Sequence, residues 1–116
     1  MNKRTIMIYK IFRDAEWAEL KSSGQSFGAP IDVQDGYVHF STRETVAETA
    51  AKYFANMEGL VLLAVSIDEC PDLKWEPSRG GALFPHLYRQ LEIKDVVWAK
   101  PLPCTGTGHV FPEGVL

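Results

Sequence analysis

Apolar and polar positions along the chain change period several times, and each change marks an element. Residues 6–12 are strand formers that, if extended, put Ile6, Ile8, Lys10 and Phe12 on one side and Met7, Tyr9 and Ile11 on the other. Lys10 interrupts an apolar face, so its ammonium either reaches past a strand end into solvent or lines a pocket. Asp14 is the expected N-cap of a helix over 15–23, with Trp17, Leu20 and the stem of Lys21 covering the sheet and Gly24 as the stop. Residues 25–34, with Gly28 and Pro30, read as a surface loop on which Ser26 and Asp32, with Asp35 just beyond, are exposed candidates for binding, with a solvated face as the favoured role. The next strand, 37–40, sets Val38 and Phe40 one way and Tyr37 and His39 the other. Ser41 and Glu44 then fit a capping box that would open a helix.

From Thr42 onward, Val46, Ala50, Tyr53, Phe54 and Met57 form one helical stripe, with Glu44, Glu48 and Lys52 opposite and Asn56 and Gly59 at its end. Residues 60–67 are apolar on both faces, as in the middle strand of a sheet. Asp68, Pro71 and Asp72 mark a turn, 73–76 a short strand stopped by Pro77, and 78–81 a flexible loop. Pro85 lacks the donor a central strand needs, so 83–89 are expected at an edge or a turn. Residues 93–99 supply a last strand, and the Pro- and Gly-rich 101–116 an irregular C-terminal tail with His109 on its surface. Two helices and late-grouped strands make a single α+β domain over 1–116, the helices packed on a mainly antiparallel sheet.

Composition narrows the function classes. At 116 residues, 46% hydrophobic and 23% charged, the chain can bury about two-thirds of its unfolded surface without staples. Its longest apolar run, 60–65, is far short of the roughly 20 residues a membrane helix needs, and residues 1–4 are not followed by the apolar core of a signal peptide. A cytoplasmic protein with reduced Cys70 and Cys104 is expected. A net charge of -3 argues against broad nucleic-acid binding, yet leaves room for a small anion in a local basic pocket.

The candidate chemistry sits in two polar clusters inside apolar sequence, one around His39 and Ser41 and one around His86 and Tyr88. An imidazole near neutrality can donate, accept or carry a proton, and two such segments suggest one shared pocket. Glu76 and Arg79 can join from the preceding turn, and Tyr9 and Lys10 from the first strand. No spacing pre-arranges zinc ligands, no G-x-S-x-G turn presents a serine nucleophile, and neither G-x-G-x-x-G nor a Walker sequence occurs. No cofactor is required by these residues.

Residues 8–11 (I-Y-K-I), a tryptophan in the first helix, D-G-Y-V-H-F-S-T at 35–42, Trp75-Glu76, F-P-H-L-Y at 84–88 and G-H-V-F-P at 108–112 together resemble the bacterial domain of unknown function 952 family over nearly the whole chain. That family is grouped with the ADP-ribosyltransferase-like superfamily. The resemblance therefore implies a curved, split, mainly antiparallel sheet whose cleft binds NAD as a substrate. It also implies a first-strand residue at the nicotinamide ribose and a second-strand His or Tyr beside the nicotinamide. A late-strand residue, often Glu, completes such a site. His39-Phe40-Ser41 resembles the H-L-S string of the RNA 2'-phosphotransferase branch. Two positions depart from the pattern: Lys10 stands where histidine is common, and His86 where many transferases carry glutamate. The resemblance thus suggests ADP-ribosyl- or phosphotransferase-like activity on a nucleotide-like ligand, with a non-catalytic binding or protein-interaction module as the alternative. In the first reading Lys10 and Arg79 attract a phosphate, His39 positions a ribose or base, and His86 carries a proton.

Overall fold

The structure, a computed structural model, describes residues 6–116 apart from the side chain of Arg79; the charged start at 1–4 lies outside the described residues. β1 (Met7–Arg13) runs into α1 (Asp14–Ser23), then β2 (Gln25–Ser26), α2 (Pro30–Asp35), β3 (Val38–His39) and α3 (Val46–Tyr53). β4 (Leu60–Ser66), β5 (Lys74–Pro77), β6 (Leu83–Leu87), β7 (Leu91–Glu92), β8 (Val96–Leu102), β9 (Cys104–Thr105) and β10 (Gly108–His109) follow. The result is a mixed α and β architecture in which the paired strands are antiparallel.

Two three-stranded sheets carry the frame, in the orders β1-β4-β8 and β3-β6-β5. β4 is the middle strand that its apolar faces predict, and both faces of its sheet are buried. Ile8, Phe12, Leu63 and Val65 pack on one side, and Tyr9, Ile11, Leu60, Leu62 and Ala64 on the other. Among the described residues a single isolated bridge joins the two sheets: Tyr9 and Ser41 exchange both backbone hydrogen bonds at 2.8 Å. The sheet is therefore split, and its two halves touch at the end of β3.

Several local expectations are corrected by these contacts. The first helix begins one residue early, because Arg13 rather than Asp14 is the N-cap and its N–H donates to Glu16 Oε1 at 2.8 Å. Gly24, at φ 80°, closes it as expected, with its N–H on the Leu20 carbonyl. The loop foreseen over 25–34 contains β2 and α2, and Ser26 and Asp32 are buried rather than solvated. α3 is shorter than its stripe, and its N-cap is Thr45. Ser41 is not a capping residue: its backbone is held by the bridge to Tyr9, its Oγ lies 3.0 Å from Thr49 Oγ1, and Glu44 is exposed. The turn before α3 is closed instead by Thr45 Oγ1, which accepts the Thr42 N–H at 2.9 Å.

The edge position foreseen for 83–89 is also overturned, since β6 lies between β3 and β5. Pro85 fits there because a strand residue points its N–H and C=O the same way. Its carbonyl accepts the Phe40 N–H at 3.0 Å just past the end of the two-residue β3, so its missing donor falls where that ladder stops. β8 extends to Leu102, with Pro101 on an outer strand that tolerates it. Beyond it, β9 pairs with β10, Val115 is fully buried, and His109 is half-buried rather than on the surface. Cys70 is a buried free thiol and Cys104 a half-buried one. Among the described residues no helix is long and apolar enough to cross a membrane.

Candidate functional site

The polar face of the β3-β6-β5 sheet is dictated by its pleat. His39 and His86 are directly opposed in register, as are Lys74 and His86, so side chains two residues away along each strand share their face. That face carries Tyr37, His39, Lys74, Glu76, Phe84, His86 and Tyr88, with the Lys74 ammonium 5.6 Å from the Tyr88 ring centroid, while Val38 and Leu87 point into the core. The two imidazoles meet edge-on with ring centroids 5.3 Å apart. Tyr37 lies against both, 4.2 Å from His86 and 4.6 Å from His39, and 4.9 Å from Tyr88.

Each histidine is held by its own carboxylate network. Glu76 Oε1 lies 2.7 Å from His86 Nδ1 and accepts the Tyr88 hydroxyl at 2.7 Å. The bond from His86, then that from Tyr88, keeps the Glu76 carboxyl below its usual range, and the same bond pushes the Tyr88 phenol up to about 12. An ionised carboxylate only accepts, so the His86 nitrogen that faces Glu76 carries a proton. The other ring nitrogen, Nε2, is buried and has no hydrogen-bond partner among the described residues.

The second network centres on Asp32 in α2, fully buried with both oxygens in use. Oδ2 pairs with Lys10 Nζ at 2.7 Å and accepts the Ala29 N–H at 2.7 Å. Oδ1 accepts the His39 N–H at 3.1 Å and lies 2.6 Å from His39 Nδ1. The other ring nitrogen, His39 Nε2, lies 3.0 Å from Asp35 Oδ2. Burial pushes the Asp32 carboxyl up, but His39 and Lys10 outweigh it and leave it below the ordinary carboxylate value. Burial likewise pulls the Lys10 ammonium down, and Asp32 restores only part of the difference. Gly28 backs onto this carboxylate at φ 97°, and a Cβ there would collide with Asp32.

Both networks border one cavity of about 620 Å³, within the range of small-molecule sites. Its wall includes Tyr9, Lys10, His39, Ser41 and His86, together with Pro30, Ile31 and Asp35 from α2 and Thr49, Tyr53 and Phe54 from the α3 side. Five of the residues singled out from sequence thus converge on one wall. Glu76 stands behind His86, and Tyr88 is half exposed beside it. Arg79 lies in a 3-10 turn, and its side chain is outside the described residues. Lys10 does not reach solvent; it is buried against Asp32. Among the described residues, no group of three or more His, Cys, Asp or Glu is arranged for a metal ion.

Asp32, read from sequence as an exposed loop residue, and Tyr37, placed on the His39 face without a role, are two residues whose part in the site the sequence reading did not give. Proline at the first helical position and an acid two residues later are a helix-start signature, which Ala29-Pro30-Ile31-Asp32 carries. That signal marks α2 and so removes Asp32 from a loop. Tyr37 shares a strand face with His39, and pairing that face with β6 places its ring.

Comparison with known proteins adds the following. The sequence model of the family described as Protein of unknown function (DUF952) matches residues 11–99. The crystal structure of protein CC0527 from Caulobacter crescentus is 46% identical and superimposes with a TM-score of 0.83 over 89% of this chain and 91% of that one. The solution NMR structure of the same protein, also 46% identical, gives 0.79 over 89% and 90%. No curated protein matches the chain.

Proposed function

The chain belongs to the DUF952 family, and we propose that its cleft binds a small nucleotide-like molecule, NAD being the candidate substrate suggested by the resemblance to ADP-ribosyltransferase-like proteins. The observation that carries this reading is the His86 imidazole: it borders the cavity, is 2% exposed and fixed through Nδ1 by Glu76, and its buried Nε2 has no partner among the described residues. A buried polar nitrogen without a partner is costly, and a bound ligand that reaches the imidazole is a natural partner. His39 positions the ligand's ribose or base from the facing strand, and His86 is its hydrogen-bond and proton partner. Ser41, Tyr9 and Tyr88 complete the surroundings.

A second reading is a non-catalytic binding or interaction module. What favours it is Glu76: both His86 and Tyr88 occupy one of its oxygens, so it is built as a support for the imidazole rather than as a carboxylate presented to a ribose. Thermal shift against NAD, ADP-ribose, nicotinamide and adenosine tests binding, since a ligand at about 100 times its Kd stabilises by roughly 2.7 kcal/mol. Release of nicotinamide that is lost in His39→Ala supports an enzyme; saturable binding without turnover supports the module. If no member of the series stabilises the protein, or if His86→Ala leaves the ligand response unchanged, the cleft reading is wrong.

A further inference from the structure

Resting on that reading of the cleft and sharpening the part it gives to His39, we propose that Asp35 is an internal stand-in for the ligand. Its carboxylate occupies the His39 Nε2 donor until a phosphate oxygen, next to the ribose of a nucleotide-like ligand, displaces it. The two carboxylates on His39 are built differently. Asp32 is fully buried, and its oxygens also hold Lys10 Nζ, the Ala29 N–H and the His39 N–H, so it cannot leave without undoing the anchor of α2. Asp35 reaches Nε2 through Oδ2 at 3.0 Å, its side chain is 35% exposed, and it lines the cavity. Turning about its own side-chain bonds releases that carboxylate to solvent and leaves α2 in place.

Helix stability does not account for an acid at this position. Asp35 is the last residue of α2, where the free carbonyls disfavour negative charge, and no basic residue shares that turn. The His39 ring, in turn, does not need Asp35 for its orientation. Nδ1 lies 2.6 Å from Asp32 Oδ1, and the rings of Tyr37 and His86 pack against it with centroids 4.6 and 5.3 Å away. A carboxylate accepts, so the nitrogen facing Asp35 serves as a donor, and it stays aimed at the same point when Asp35 turns away. A donor whose direction is fixed beforehand needs little ordering on binding. The incoming group must therefore be an acceptor, and a charged one: exchanging one anionic oxygen for another leaves the charge beside the buried Lys10 and Asp32 pair unchanged, whereas a ligand hydroxyl or carbonyl would make a weaker bond.

Calorimetric titration of the wild type and Asp35→Ala with AMP and with adenosine tests this. AMP is expected to bind Asp35→Ala about tenfold tighter or more, because no competitor has to be displaced, while adenosine binds the two proteins within about threefold. In a His39→Phe background the same replacement of Asp35 should bring AMP no gain, a coupling that a double-mutant cycle isolates. AMP binding that is unchanged or weaker in Asp35→Ala overturns the proposal, as does a gain shared equally by adenosine or one that persists without His39, which would report only repulsion by the rim charge. In each of these cases the cleft still binds its nucleotide-like ligand. No binding of either compound to either protein overturns the cleft reading together with the proposal. Should His39→Phe not fold, the side-chain carboxyl ¹³C resonance of Asp35 in the wild type decides. Saturation with AMP is expected to move it, and a static resonance in the saturated complex refutes the displacement.

Discussion

Replacing Asp32 by asparagine should be the most destabilising conservative change in the site. The carboxylate satisfies four donors, two per oxygen: Lys10 Nζ and the Ala29 N–H on one, His39 Nδ1 and the His39 N–H on the other. An amide can present oxygen to one pair only, and its NH₂ then faces two donors. Lys10, 7% exposed, is also left as a buried ammonium without its counter-charge. Removing one partner of a buried ion pair costs about 3–5 kcal/mol. A domain of this size loses roughly 4 °C of Tm per kcal/mol, so a fall of about 12–20 °C is expected. Urea unfolding followed by tryptophan fluorescence measures it directly through the midpoint at constant slope. Lys10→Met in the Asp32→Asn background removes the unpaired charge and should recover about 2 kcal/mol, a coupling that a double-mutant cycle isolates. A loss below about 1 kcal/mol for Asp32→Asn, or strict additivity of the two changes, would show that the pair is not what holds α2 against β1 and β3.

The remaining expectations concern protonation and access. Because the folded Asp32 pKa lies below its ordinary 3.8, its contribution is fully present above that value and is lost as pH falls through the folded one; the acid limb of the wild-type Tm profile should be steeper than that of Asp32→Asn. Glu76→Gln should lower the Tyr88 phenol from about 12 toward the ordinary 10.0, visible as earlier tyrosinate absorbance in an alkaline titration; an unmoved titration would break the Glu76–Tyr88 link. Cys70, 1% exposed and with its thiol pushed up to about 11 chiefly by burial, should resist alkylation in the native state while Cys104 reacts. Equal rates would contradict that burial.

What the sequence makes legible is whatever depends on local period. The middle strand β4 follows from a short run apolar on both faces, the stop of α1 from Gly24, and the shared face of Tyr37 and His39 from strand alternation. What it hides depends on partners distant in the chain. The buried state of Asp32 is set by Lys10, twenty-two positions earlier, and by His39 folding back over α2. Serine at 41 satisfies the local rule for a cap, yet Tyr9 and Thr49 claim its backbone and hydroxyl, because the bridge between the half-sheets forms there. Pro85 breaks the local rule for a central strand and is accommodated only because β3 is two residues long.

The same long-range register explains why the two histidines should be treated as one site with two supports. Opposition of His39 and His86 across β3 and β6 fixes their spacing through the backbone, independently of either carboxylate. Asp32 and Asp35 then tie one ring to α2, while Glu76 on β5 orients the other. Tyr37 lies against both rings, and the two imidazoles also meet edge-on, so the networks touch directly. A perturbation of α2 therefore reaches His86 through the edge-on contact of the two imidazoles, through Tyr37 or through the strand itself. Since Pro30 and Ile31 of α2 also line the cavity, loosening the Asp32 network alters the shape of the cleft without changing the protonation geometry at Nε2. Shape and proton chemistry are thus assigned to different carboxylates, which is the division a binding assay on Asp32 and Glu76 variants would separate.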